Sequence, residues 1–323
     1  MSESALPRGK SKPPTPWKPS KKLDNPNAVP SLNGRWGYLF TAPFFIMFLI
    51  FGLAPIVFSV VLAFFDVDVL SGIYNPVGLA NFTELFADSR FWNALVNTFD
   101  IWLISTIPMI IMSIGLAAIL HNPFLKGSTF WRTILLVPNI TSVLAIAIVF
   151  GQLFGRDFGM INIIIGALGF EHVDFIQGTT SSHIAIASMI IWRWTGYNAL
   201  IFLAAMLAIP SELYESASLD GAGKWKQFIY VTLPGLRNTI TFVLIVGTIG
   251  GLQVFAEPLI LGGSYNGGDS GQFSTLTLFL FDQAFVGYRW GYAAAIGIAI
   301  TLIVMIVSTI NFFITRRIAG DKS

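Results

Sequence analysis

The sequence predicts an all-α integral membrane protein, and three observations support this fold class. Of its 323 residues, 54% are hydrophobic and only 11% are charged, whereas charged residues make up about a quarter of a soluble globular protein. About six stretches are long and apolar enough to cross a bilayer, which takes about 20 residues each. Because backbone N–H and C=O groups in lipid must pair within each span, a bundle of helices is the expected architecture.

The first 34 residues differ in composition from everything that follows them. They are rich in proline and in lysine or arginine, and they contain few large apolar side chains. Such a segment cannot bury enough apolar surface to offset the entropy lost on ordering. Residues 1–34 are therefore predicted to form a disordered, basic and proline-rich cytoplasmic tail, and a second short tail, 319–323, follows the membrane domain.

The predicted transmembrane domain comprises residues 35–318. Its spans lie near 36–65, 93–120, 131–154, 183–209, 234–261 and 291–314. Pro43 and Pro55 fall in the first span and Pro138 in the third, where neighbouring helices can satisfy the backbone groups that a proline frees.

Basic residues in the loops predict the orientation of the chain. The loop around Lys126 and Arg132, the loop with Lys224, Lys226 and Arg237, and both termini share one side of the predicted bundle. The loops on the other side carry mainly Asp and Glu. Since lysine and arginine are enriched in cytoplasmic loops, both termini and the loop between the fourth and fifth spans are predicted to be cytoplasmic.

Two loops on the opposite side are too long to be simple turns. The first, 155–182, contains the apolar run 160–165, which is too short to span and predicts an interfacial helix. The second contains a short predicted helix, 275–285, after the glycine-rich segment 262–268. Both could shape an outer mouth where a substrate-delivering protein docks, or they could cap the lipid surface without a partner.

One long polar island, 211–234, separates the fourth and fifth spans. Its first part has helical composition with carboxylates in the early turns, where the helix dipole favours them. Gly221 and Gly223 then break this helix, because glycine adopts left-handed dihedral angles without a steric penalty. A second short helix precedes Pro234, so the island predicts a helix, a glycine turn and a helix at the membrane surface.

This island carries a motif with fixed spacing. Glu215-Ser216-Ala217, then Gly221, then Val231 and Leu233-Pro234 resemble the EAA loop of the permease subunits of bacterial ABC importers. The extended form resembles the sugar-importing branch of that family, through Ile209-Pro210 before the motif and Glu212-Leu213-Tyr214-Glu215, Asp220-Gly221-Ala222 and Phe228 within it. The one departure is Ser216, where the family usually has alanine. The resemblance implies a six-helix ABC importer type I permease bundle with a cytoplasmic coupling helix that docks on an ATPase. It assigns ATPase coupling to Glu215, Ala217, Asp220, Gly221, Phe228 and Pro234.

The predicted spans contain a few polar side chains. Such side chains are energetically unfavourable inside a membrane, and they usually line a cavity or pair with each other. Aromatic faces and amide or carboxylate groups suit a sugar ring and its hydroxyls. The family resemblance also implies a translocation pathway at two segments, 194–197 in the fourth span and 253–258 in the fifth. The candidate substrate pathway is therefore Trp194, Gly196, Tyr197, Asn198, Gln253 and Glu257. Gly250, Gln253 and Glu257 are spaced to share one helix face. Plain packing could explain the two aromatic residues, and an ion pair with Asp100 or Glu257 could explain Arg193.

No stretch of the chain supplies a phosphate-binding loop, because the glycine-rich segment has Asp269 where a P-loop has its lysine. No catalytic residue, metal site or cofactor is predicted, and with no cysteine there is no thiol chemistry. The resemblance implies a subunit in the bacterial cytoplasmic membrane that imports a sugar, and more narrowly a di- or oligosaccharide, by alternating access. ATP and magnesium would bind a partner ATPase dimer. The other implied partners are a second homologous permease, an extracytoplasmic sugar-binding protein and lipid, with no nucleic acid.

Two alternatives from other classes remain. A self-contained secondary transporter or channel would use Asp100, Arg193 and Glu257 as an ion or proton relay, and it would work without an ATPase. A membrane enzyme would need a metal cluster or a nucleophile with its base, and the sequence offers neither.

Overall fold

The computed structural model describes residues 34–68, 72–122 and 124–318, most of which are helical. Apart from Gly34, the predicted tails 1–34 and 319–323 lie outside the described residues. The first elements are α1 (Gly34–Phe48), a π-helical turn (Leu49–Leu53), α2 (Ala54–Leu62), strands β1 (Phe65–Asp68) and β2 (Ile73–Pro76), α3 (Ala80–Ala87), α4 (Ser89–Leu120), α5 (Ser128–Ile140), α6 (Val143–Leu153), α7 (Met160–Ala167) and α8 (Thr179–Leu207). The remaining elements are α9 (Ser211–Leu219), α10 (Lys224–Gln227), a π-helical turn (Phe228–Thr232), α11 (Leu233–Gly235), α12 (Arg237–Gly251), α13 (Ala256–Gly262), α14 (Leu276–Phe281), a π-helical turn (Asp282–Val286) and α15 (Trp290–Ile318).

The chain divides into two compact units, Met1–Val57 and Phe58–Ser323. The described part of the first unit is helical throughout and contains Pro43 within α1. The second unit contains every site considered below.

Four helices of the described residues are long and apolar enough to cross a membrane: Gly37–Leu62, Ser89–Leu120, Thr179–Leu207 and Trp290–Thr315. Two bent pairs meet the same criteria when each pair counts as one span, which gives up to six spans. One pair is α5 with α6, bent by 92°, and the other is Lys224–Gly235 with α12, bent by 62°.

The predicted third span, 131–154, is therefore not one straight helix. Thr141 ends α5 with an extended backbone, at φ −73° and ψ 141°. Its hydroxyl donates a hydrogen bond to the carbonyl of Val137 at 2.7 Å, which satisfies one of the terminal carbonyls of α5. The chain then turns and begins α6 at Val143.

Helices α4 and α8 form the centre of the second unit and run parallel. Near their starts, Asn97 Nδ2 donates to the carbonyl of Gly271 at 2.9 Å, and the His183 ring lies 2.9 Å from the next carbonyl, that of Gln272. Near their ends, Leu120 and Met206 belong to one apolar cluster. Both helices thus run from the segment before α14 to the polar island that follows α8.

Three buried apolar clusters fill the second unit. One joins α4 to α14 and α15 around Phe91, Leu276 and Tyr292. A second joins α6, α8 and α13. The third joins the ends of α4 and α8 to α12. Each cluster therefore covers part of the apolar surface of the central helices.

A β-hairpin and a short helix follow the first span, and the sequence did not indicate either. The predicted span 36–65 ends at Leu62, and Phe65 begins β1, which pairs antiparallel with β2 in the register Phe65 to Pro76. Asn81 in α3 donates to the carbonyls of Ala63 and Phe65, at 2.9 and 3.0 Å. These bonds fix the path of the chain just after the C-terminal end of α2. Short helices do lie within the loops for which the sequence predicts them, as α7 and α14.

Candidate functional site

The polar island forms a helix, a tight turn and a second helix. Helix α9 ends in a Schellman motif, in which the Ala222 N–H bonds the Ala217 carbonyl and the Gly221 N–H bonds the Ser218 carbonyl, at 2.9 and 3.0 Å. This motif needs a left-handed residue between them, and Gly221 has a φ of 76°. Gly223 has a φ of −67° and starts the second helix. The turn therefore depends on Gly221 and not on Gly223.

A buried glutamine holds the two helices of this turn together. Gln227 Nε2 donates to Ser218 Oγ at 2.8 Å and to the Ala222 carbonyl at 3.1 Å. A second bond joins Tyr214 and Thr232 through their hydroxyls at 3.0 Å. The sequence pattern does not single out Gln227, although it is the one amide side chain inside the polar island. We call the assembled segment, Ser211–Gly235, the coupling loop.

The coupling loop presents apolar side chains to its surroundings. Leu219 is 90% exposed, Trp225 72% and Tyr230 75%. Of the six predicted coupling residues, Glu215, Asp220, Gly221 and Pro234 are exposed and Ala217 and Phe228 are partly buried. The Phe228 ring stacks on Trp225 with centroids 5.8 Å apart. Exposed apolar groups rimmed by charged ones are typical of a protein interaction surface.

A charge pair lies within the predicted substrate pathway. Arg193 Nη1 lies 3.3 Å from Glu257 Oε1, and the Glu257 side chain is only 8% exposed. The guanidinium also lies over the ring of Trp194, 5.5 Å from its centroid. Of the two partners considered for Arg193, the structure thus selects Glu257. Asp100 instead faces His183, whose Nδ1 lies 3.8 Å from Asp100 Oδ2.

The predicted pathway residues fall into two groups. Trp194 and Tyr197 are exposed, one turn apart on α8, and their rings meet edge to face at 6.0 Å. Gly196 and Asn198 are buried. A Cβ on Gly196 would overlap the carbonyl of Leu135, and Asn198 Nδ2 lies 3.4 Å from Met109 Sδ. These two residues serve the packing of α8 against α5 and α4.

The expectation that Gly250, Gln253 and Glu257 share one helix face is wrong. Helix α12 ends at Gly251, and α13 begins at Ala256, so the predicted span 234–261 is broken. Two consecutive glycines, the weakest helix formers after proline, immediately precede the break. Gln253 lies in the break, is exposed, and donates from Nε2 to the Ile249 carbonyl at 3.0 Å. Glu257 sits in the first turn of the separate helix α13.

No group of three or more His, Cys, Asp or Glu side chains is placed to hold a metal ion among the residues that the structure describes. The polar and aromatic side chains described above can form hydrogen bonds, ion pairs and ring contacts with a solute.

Comparison with known proteins identifies the family. Residues 101–320 match the family model described as binding-protein-dependent transport system inner membrane component. The chain is 33% identical over 285 residues to the arabinooligosaccharides transport system permease protein AraP of Bacillus subtilis (strain 168), covering 88% of this chain and 90% of that protein. It is 34% identical over 290 residues to the lactose transport system permease protein LacF of Rhizobium radiobacter, covering 87% and 94%.

A solved structure has the same fold. One chain of a bacterial alginate ABC transporter, crystallised in complex with an alginate pentasaccharide-bound periplasmic protein, aligns with a TM-score of 0.74 at 25% identity and covers 89% of this chain and 96% of its own. The fold and the coupling loop thus define a multi-pass membrane permease of the type I ABC importer class. The chain belongs to the family of inner membrane components of binding-protein-dependent transport systems.

Proposed function

We propose that this chain is one permease subunit of an ATP-driven importer that carries a sugar, and more narrowly a di- or oligosaccharide, into the cytoplasm by alternating access. The relatives named for lactose, arabinooligosaccharide and alginate transport support this substrate class. The observation that carries the proposal is the coupling loop, because its exposed Leu219, Trp225 and Tyr230 leave apolar surface for a partner protein to cover.

In this proposal the partner at the coupling loop is a cytoplasmic ABC ATPase dimer, which binds ATP and magnesium. Its closure would favour one of two arrangements of the spans, since a ligand shifts a two-state equilibrium only through unequal affinity for the two states. The coupling loop and both termini are then cytoplasmic. An extracytoplasmic sugar-binding protein would deliver the substrate to the opposite side.

An exposed carboxylate on α4 supports a pathway shared with a second, homologous permease. The Asp100 side chain is 51% exposed in this chain although it lies within an apolar span. A carboxylate facing lipid is costly, so such residues face the bundle interior or a water-filled cavity. We infer that this face of α4 lines the pathway, together with Trp194, Tyr197, Gln253 and the Arg193–Glu257 pair.

Two matched substitutions in the coupling loop test the proposal. Gly221→Val places a β-branched residue at positive φ, where it is strained, whereas Gly223→Val falls on an extended backbone that valine adopts readily. Neither site has an atom within 4 Å of an added Cβ. Each protein is purified from native membranes under mild solubilisation, and the co-purified subunits are identified.

We expect wild type and Gly223→Val to recover an ATPase and a second permease, and Gly221→Val to lose the ATPase. Transport by the chain alone, reconstituted without any ATPase, would overturn the proposal and favour the self-contained transporter. Equal recovery from the two variants would show that the shape of the turn is irrelevant to assembly.

A further inference from the structure

A cleft opens at the end of the second unit where α4 begins. It has a volume of about 600 Å³ and is lined by the first turns of α4, by residues within 265–274 before α14, by Phe279 of α14 and by Asp282 just after it. This volume lies within the range of about 300–1,000 Å³ that small-molecule sites occupy. None of the predicted pathway residues lines it, so it is separate from the Arg193–Glu257 pair.

The glycine-rich wall of the cleft is fixed in shape. Gly267, Gly268 and Gly271 have φ values of 73°, 95° and 68°, which only glycine adopts without strain. The Gln272 side chain donates to the Ile176 carbonyl at 2.8 Å and accepts from the Ser270 N–H at 2.9 Å. Asn93 from α4 donates to the Gly271 carbonyl at 2.7 Å. The wall is therefore preformed before any ligand arrives.

The cleft offers an aromatic platform beside planar polar groups. The Tyr265 ring stacks on Phe281, with centroids 5.3 Å apart and an angle of 25°, and Tyr265 remains 45% exposed. Asn266 and Asn93 are exposed on the lining. A half-exposed aromatic ring with amide donors and acceptors around it suits the apolar face of a pyranose and the hydroxyls at its edge.

The charged residues that line the cleft favour some sugars over others according to the charge of the sugar. Its charged lining residues are Arg90, Asp269 and Asp282, one positive and two negative, which gives a net charge of −1. The charge of Arg90 is already matched by Asp88, whose Oδ2 lies 2.9 Å from Arg90 Nη2. Asp269 is held at the rim by Gln177, which donates to its Oδ2 at 2.7 Å. Carboxylates accept hydrogen bonds from hydroxyls and repel another carboxylate, so the lining favours neutral sugars over uronic acids.

The cleft and the coupling loop lie at opposite ends of the central helices. Helix α4 has 32 residues, which corresponds to about 48 Å at 1.5 Å per residue. Its first turns line the cleft, and its last residues pack in the same cluster as the end of α8, which leads into the coupling loop.

We propose that this cleft is an entry subsite that holds a short segment of a neutral oligosaccharide before it reaches the membrane interior. The assignment rests on the proposed function, which places the coupling loop in the cytoplasm and hence the cleft on the side where sugar arrives.

The absence of cysteine from the chain gives a direct test. Asn266→Cys puts the chain's only thiol on the lining of the cleft, and Thr83→Cys puts it at an exposed position of α3 that does not line the cleft. A membrane-impermeant maleimide labels each variant in native membranes. The added probes are maltose, lactose, cellobiose, maltotriose, arabinotriose and, as the acidic comparison, trigalacturonic acid.

We expect at least one neutral sugar to slow labelling of Asn266→Cys by the factor 1 + [L]/Kd, which is about ten-fold when the sugar is at about ten times its Kd. Trigalacturonic acid should not protect, and labelling of Thr83→Cys should not change. Adding Tyr265→Ala should abolish protection, whereas adding Tyr265→Phe, which keeps the ring, should retain it.

Three outcomes would overturn the subsite: no neutral sugar protects, the acidic sugar protects equally, or only the purified sugar-binding protein protects. The last would make the cleft a protein docking surface. Protection by sugar, combined with failure of the chain with native Gly221 to recover an ATPase, would refute the proposed function and keep the subsite. ATPase recovery without protection would refute the subsite alone.

Discussion

Replacing Glu257 with glutamine should destabilise the protein, because it leaves the Arg193 charge without its partner. At the observed separation of 3.3 Å, Coulomb attraction is about 5 kcal/mol for an effective dielectric constant of about 20. Desolvation of the two groups offsets part of this attraction, and removing one partner of a buried pair costs about 3–5 kcal/mol. Arg193 keeps 22% of its side chain exposed, so we expect a cost near the lower end, about 3 kcal/mol.

The assay is thermal unfolding of the purified chain in detergent or nanodiscs, with a double-mutant cycle. Glu257→Gln and Arg193→Met should each lower the unfolding midpoint by several degrees, and the double variant should lie close to wild type, because no charge is then left unpaired. Glu171→Gln, at an exposed position, serves as the control and should change stability by less than about 0.5 kcal/mol. Additive effects of the two single substitutions would refute the reasoning, since they would show no coupling between the two groups.

Two further predictions concern the helix contact at Gly196 and the carboxylate of Asp88. Gly196→Ala should cost about 1–3 kcal/mol in thermal unfolding, because its Cβ would push α8 away from the Leu135 carbonyl. Gly250→Ala, with nothing within 4 Å, is its matched control, and an equal loss in both would contradict the packing argument. Burial raises the pKa of Asp88, but hydrogen bonds from Arg90 and Tyr292 outweigh it and hold that pKa below its usual range. The stability that Asp88 contributes is therefore complete well above its unfolded pKa of about 3.9 and is lost as the pH falls through the lower folded value. Unfolding curves of Asp88→Asn should lie below wild type at neutral pH and converge with it in acid; a gap independent of pH would exclude this role.

The spans and the coupling loop could be predicted because their signals are local. A run of apolar residues is sufficient to indicate a span, and the Schellman turn at Gly221 follows from a glycine at a fixed distance after a helical segment. The predicted span bounds differ from the observed helix bounds where a polar residue or a glycine ends a helix inside an apolar run. Thr141 and the pair Gly250–Gly251 both do so, and hydropathy alone does not register either break.

The remaining features depend on contacts between residues far apart in the sequence. The Asn93 side chain and the Gly271 carbonyl are 178 positions apart, and they help to shape the cleft wall. The Arg193–Glu257 pair spans 64 positions, and only the chemical cost of an unpaired charge in a membrane suggested it. Gln227 could not be predicted, because an amide side chain is common in surface loops and only its burial and its two acceptors mark it as structural.

The arrangement of these features along α8 bears on how the proposed cycle would work. This helix is continuous over 29 residues, with His183 against the cleft wall near one end, Arg193 in the middle, and the coupling loop following the other end. Close contact at Gly196 couples α8 to α5, and the Arg193–Glu257 pair couples it to α13. A packed helix moves as a rigid element and not by continuous deformation. Movement of the coupling loop would therefore displace the charge pair and the cleft wall together. Alternating access requires this kind of coupling.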